Sequence, residues 1–155
     1  MKKRVKTVLV LANVTNLSSL KAAIESAEGV AVSKIYFTHK SQKTLAVYNQ
    51  SEIPCIYCHC PIELADELLR EGYNIISLVM TKTSRLLCEA EIAPKTAFIV
   101  SDDEKGVSQQ LLNKSFSAHL PMLGGSSTLN AGMVAGIALY TAYFQNEQCL
   151  QQRYL

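Results

Sequence analysis

From Asn74 to Met80 the chain reads NIISLVM, a nearly unbroken apolar run. A strand with one face in water alternates apolar and polar residues, whereas a strand covered on both faces does not. A strand of this kind requires helices on either side of its sheet. The rest of the sequence supplies them. Further strands are read at Lys6–Leu11, rich in Val and Leu, and at Lys34–Thr38, Ile53–Cys58, Thr96–Val100 and Phe116–Leu120. Asn16 stands where it would cap a helix running to Glu28, with Gly29 as its left-handed stop. PIELADELLREG places Pro61 in a first turn, acids early, Arg70 late and Gly72 as the stop. HKSQKTLAVYNQSE reads as loop with a helical turn, Val107–Asn113 as a short helix, and a last helix begins near Thr128. Strands alternating with helices predict an α/β fold with a mainly parallel sheet between helices. No linker or repeat interrupts the pattern, so residues 1–155 are expected to form one domain.

Composition narrows the class. With 48% hydrophobic and 18% charged residues, the chain can bury a core and is not a disordered one. A net charge of +2 does not by itself require a nucleic-acid partner. Lys2, Lys3, Arg4 and Lys6 crowd the N-terminus, a cluster able to touch phosphate or to serve as a solvated tail. The apolar run Val8–Ala12 is too short for a secretory signal. The uncharged stretch Ala131–Phe144 falls short of the roughly 20 residues that span a bilayer. No membrane partner is therefore expected. Five cysteines, an odd number without a signal peptide, predict reduced thiols and a cytoplasmic location.

Spacing argues against several familiar sites. CIYCHC (Cys55 to Cys60) holds metal-type ligands, but on a strand Cys55 and Cys58 point to opposite faces, and no second Cys/His pair lies near. Core thiols and no metal are the expectation. The turn after the first strand, LANVTNLSSLK, has no glycine for a dinucleotide fingerprint, and no phosphate-binding Gly-Lys-Ser/Thr occurs. His39, His59 and His119 are scattered. Two junctions remain, IVSDDEKGVSQQLL and PMLGGSSTLNAGMVAGIALYTAYF, each a strand end, a polar turn and a helix. Open α/β sheets hold ligands at such places. Gly124 and Gly125 let backbone amides come close to a ligand, and Thr128 or Asn130 could cap the last helix or bond a bound group. Gly132 and Gly136, with Ala135 beside them, permit a close helix contact, either internal or across a dimer.

The second junction resembles the third motif of the SpoU/TrmH group of SPOUT RNA methyltransferases, roughly I-P-M-x-G-x-x-x-S-L-N. Here it stands as Leu120-Pro121-Met122-Leu123-Gly124, then Thr128-Leu129-Asn130. The second motif, about G-S-E-G-x-G-L-S, is matched in part by SDDEKGVS (Ser101 to Ser108), and Asn13-Val14-Thr15 fits the start of the first. The resemblance implies an α/β trefoil knot in the C-terminal half, a homodimer, and S-adenosylmethionine held by the late loops. The cofactor-binding positions it implies are Leu78, Ser101, Leu120, Met122, Gly124 and Leu129. It implies transfer of a methyl group to a ribose 2′-hydroxyl of tRNA or rRNA. Asn13, Ser19, Glu25, Asp103, Thr128 and Asn130 would stand around the reacting centre. The family's first motif continues N-x-G-x-x-x-R, where this chain has Ser19, Lys21 and Glu25. A carboxylate repels a phosphodiester that an arginine would pair with. The sequence thus leaves a second reading open, a non-catalytic dimer that binds RNA or acts as a scaffold.

Overall fold

The computed structural model describes residues 6–102, 107–125 and 129–146. Along the chain run β1 (Val8–Ala12), α1 (Leu17–Gly29), β2 (Lys34–Phe37), α2 (Gln42–Asn49), β3 (Cys55–Tyr57), α3 (Pro61–Arg70), β4 (Asn74–Leu78), β5 (Arg85–Leu86), a 3-10 turn (Leu87–Glu89), β6 (Thr96–Ser101), α4 (Gln109–Leu112), β7 (Phe116–His119) and α5 (Ala131–Gln145). Among the described residues the seven strands form one sheet in the order β3-β2-β1-β6-β4-β7-β5. Every pairing in it is parallel.

Period-two alternation splits the central strands between two cores. Leu9 and Leu11 of β1, with Phe98 and Val100 of β6, pack under α1, α2 and α5. Val8, Val10 and Ala12, with Ala97 and Ile99, pack against Leu64, Ala65 and Leu68 of α3 and against Leu111 of α4. The result is three layers, with β1 and β6 buried on both sides. Cys55 belongs to the first core and Cys58 to the second, as strand alternation requires. Burial raises both thiol pKa values above the ordinary range.

Several elements depart from the sequence reading. Asn16 does cap α1, its side chain accepting from the Ser19 amide at 3.0 Å. Gly29, expected to stop α1 in a left-handed conformation, is its last helical residue, and the left-handed backbone falls on Ala31 (φ 55°). Gly29 is needed for proximity instead, since a Cβ there would lie 2.5 Å from the Tyr140 hydroxyl oxygen. Gly72 does take the positive φ, at 88°. The stretch read as loop with a helical turn holds the eight-residue α2. Its capping box joins Ser41 to Thr44, where a Thr stands in for the more familiar Glu or Gln. Tyr48 of α2 is buried, its ring stacked on Phe37 at 3.8 Å.

α5 begins at Ala131, later than the sequence suggests, because Asn130 is its cap and accepts from the Met133 amide at 2.9 Å. Its small-residue face is an internal contact. A Cβ on Gly132 would fall 2.6 Å from both the Ala22 Cβ and the Ser19 carbonyl, and one on Gly136 would fall 2.9 Å from the Ser26 hydroxyl. α1 and α5 therefore pack nearly backbone to backbone. The two-residue β5, too short to leave a sequence pattern, pairs only with β7. β7 lies between β4 and β5, although these two are consecutive strands of the chain.

Candidate functional site

The carboxyl ends of β4, β6 and β7 converge on a cavity of about 350 Å³. Leu78, Val100, Ala118, Leu120, Met122, Leu129 and Val134 give it an apolar lining, while Thr81, Ser101, Asp102 and His119 supply the polar groups. Ser101 closes β6 with its hydroxyl oxygen fully buried and without a hydrogen-bond partner, the single such side-chain atom among the described residues. Buried hydroxyls are nearly always paired, so an orphan on a residue that lines a cavity marks a candidate place for a ligand to bond.

Side-chain bonds hold two walls of this cavity. The Ser84 hydroxyl lies 2.8 Å from His119 Nδ1, donates to the Thr81 carbonyl at 2.9 Å and accepts from the Thr81 amide at 2.9 Å. The turn leaving β4 is thereby tied to the end of β7. On the other side the Asp102 carboxylate accepts from the amides of Thr15 (2.6 Å) and Asn16 (2.9 Å) and from the Thr15 hydroxyl (3.3 Å). A carboxylate at the amino end of α1 also meets the positive end of the helix dipole. Asn13, at φ 55°, supplies the left-handed bend that a glycine would otherwise give, and its amide donates to the Thr38 hydroxyl at 2.8 Å.

The residues singled out by sequence separate into groups. Leu78, Ser101, Leu120, Met122 and Leu129 line the cavity, whereas Gly124 does not and has open space around it. Asn13 is exposed at the end of β1. Ser19 is buried and Asn130 exposed, yet both stand at Gly132, whose Cβ would lie 2.6 Å from the Ser19 carbonyl and 3.3 Å from Asn130 Oδ1. The amino ends of α1 and α5 are thus neighbours. Glu25 is exposed farther along α1. None of Asn13, Ser19, Glu25 and Asn130 lines the cavity. Asp103 and Thr128 lie outside the described residues, as do Lys2, Lys3 and Arg4. Sequence reasoning did not single out Asp102, Thr81, Ser84 or His119 for the site. For Asp102 the signal was ambiguous, because Asp102, Asp103 and Glu104 stand in a row and only the backbone path decides which one turns back.

Among the described residues no group of three or more His, Cys, Asp or Glu is arranged to hold a metal ion, and no helix is long and apolar enough to cross a membrane.

Residues 6–140 match the SpoU rRNA Methylase family. The chain is 25% identical over 156 residues to the tRNA (guanosine(18)-2′-O)-methyltransferase of Aquifex aeolicus (strain VF5), covering 96% of this chain and 74% of that one. The crystal structure of the A. aeolicus TrmH/SpoU tRNA modifying enzyme superposes with a TM-score of 0.82 at 22% identity, over 96% of this chain and 79% of that one. An AdoMet-bound rRNA methyltransferase from Sinorhizobium meliloti gives 0.78 at 17% identity, over 92% and 57%. The non-catalytic reading left open by the sequence finds no support in these comparisons. A family match over most of the chain, together with the shared parallel fold, makes this protein a member of the SpoU rRNA methylase family.

Proposed function

We propose that the protein transfers a methyl group from S-adenosylmethionine to the 2′-hydroxyl of a ribose in tRNA or rRNA. The observation that carries the cofactor assignment is the Ser101 hydroxyl, buried without a partner in a residue that lines a largely apolar cavity at the ends of β4, β6 and β7. An apolar hollow with a few placed polar groups suits an adenine ring and a methionine chain. When bound, the cofactor supplies an electrophilic sulfonium methyl. In this reading Ser101 gives the buried hydrogen bond, and Leu78, Leu120, Met122 and Leu129 keep water from the reacting carbon. The neighbouring amino ends of α1 and α5, with Ser19 and Asn130, are our candidate for the ribose side, and Asn13, Glu25, Asp103 and Thr128 complete it. The names of the A. aeolicus relative and the S. meliloti enzyme support this substrate and cofactor.

We further infer that residues 1–155 form one domain and that the C-terminal half is knotted. The position of β7 between two consecutive strands supports the knot. We also infer a homodimer, supported by the partly exposed large apolar side chains Met133, Ile137, Tyr140 and Phe144 along α5. An RNA substrate and the free thiols at Cys55, Cys58, Cys60 and Cys88 favour the cytoplasm.

Titration calorimetry with S-adenosylmethionine, followed by transfer of labelled methyl to bulk tRNA and rRNA, tests the reading. Saturable heat and 2′-O-methylated ribose are expected. No heat, or label recovered on a base, removes it.

A further inference from the structure

A second groove, of about 440 Å³, opens beside the cofactor cavity between the turn after β4, α4 and the start of β7. Thr81 and Leu112 line both, so the two are neighbours. Most of its lining is polar, but Phe116 stands in it 72% exposed. A ring left in water forgoes the stabilisation that burial gives it, unless a partner covers it. The groove also contains Lys82, which makes no ion pair among the described residues, whereas Lys114 nearby on the chain is held by Asp66 at 2.6 Å. Gln109 donates its amide to Asn113 Oδ1 at 2.8 Å, which leaves the Gln109 carbonyl as an acceptor and the Asn113 amide as a donor.

A flat ring, a cation and paired amide groups match the parts of one unpaired nucleotide. The ring stacks on a base, the ammonium meets a phosphate, and the amides reach a base edge. A duplex keeps its bases stacked on each other and has no free face to offer. We propose that this groove is an RNA subsite in which Phe116 stacks an unpaired base next to the methylated nucleotide, with Lys82 on the backbone. The proposal rests on the methyltransferase reading and adds to it that the substrate is single-stranded at this point, in a loop or an unpaired end.

The chain has no tryptophan, so Phe116→Trp places a single indole in the groove. Titration with a short single-stranded oligoribonucleotide of mixed sequence is expected to quench its fluorescence to saturation. The same sequence as a duplex should quench it far less. Phe116→Ala should raise KM for RNA about tenfold, with a smaller change in kcat and an unaltered calorimetric affinity for S-adenosylmethionine. Lys82→Gln should lower the salt dependence of RNA binding by about one counterion. Equal quenching by duplex, no quenching, or a Phe116→Ala effect confined to self-association overturns the subsite. Methyl transfer by the unaltered protein separates the two ideas. If it proceeds while the indole stays silent, only the subsite falls, and if the unaltered protein neither methylates nor binds RNA, both fall.

Discussion

At the scale of single residues, two neighbours at the end of β6 do opposite things. Ser101 keeps a hydrogen bond unmade, and Asp102 makes three. If the cofactor completes the Ser101 bond, Ser101→Ala should weaken S-adenosylmethionine binding roughly tenfold while leaving the melting temperature unchanged or slightly raised, since a buried orphan is removed. Calorimetry and a thermal melt on the same sample check both halves. Asp102→Ala should cost about 1–2 kcal/mol of stability, because two amides at the start of α1 lose their acceptor. Asp102→Asn should recover part of that in a urea titration. Cap residues were readable from sequence, Asn16 among them, because a cap depends only on residues three positions away. Asp102 was not, because its partners lie far back in the chain and are chosen by the parallel pairing of β1 with β6.

Among the elements, α1 and α5 make the closest contact. Gly132→Ala forces a methyl into space held by backbone, and should destabilise by about 1–3 kcal/mol, measured by urea unfolding. Gly124→Ala, with nothing within 4 Å of the new methyl, serves as the control and should leave stability unchanged. If the exposed apolar residues of α5 form the proposed dimer seam, Ile137→Lys is expected to give a monomer by sedimentation, and an unshifted coefficient would mean they do not. The elements most legible in the sequence were those whose own residues decide them, such as α3 with its Pro61 start and Gly72 stop. α2 was hidden by a polar composition, and its reason for being helical is Tyr48 packing on Phe37. β5 exists only because β7 offers it an edge. The glycines of α5 announced a tight contact but not which helix would make it.

For the molecule as a whole, the apolar runs carried the layered parallel architecture, because burial on both faces leaves a direct mark on composition. Strand order left no such mark. Both cores hold groups that the fold keeps protonated. Burial raises Cys55 and Cys58 above the ordinary 9.0, and chiefly burial raises Tyr36 and Tyr48 above 10.0. The unfolded chain therefore releases these protons first as pH rises. Stability from them is complete below about pH 9 and declines as the folded values are passed. The urea midpoint should fall as pH rises above about 9, and Tyr48→Phe should make that decline shallower.

The place of β7 has a consequence for how the protein comes into being. Ribosomal synthesis delivers β4 and β5 well before the strand that separates them, so the far side of the sheet has no final form until that late strand slots in. Leu120, Met122 and Leu129 follow it and close the hollow. A nascent polypeptide lacking them has no enclosed place for a methyl donor, so competence arrives only once β7 and the segment after it have been made.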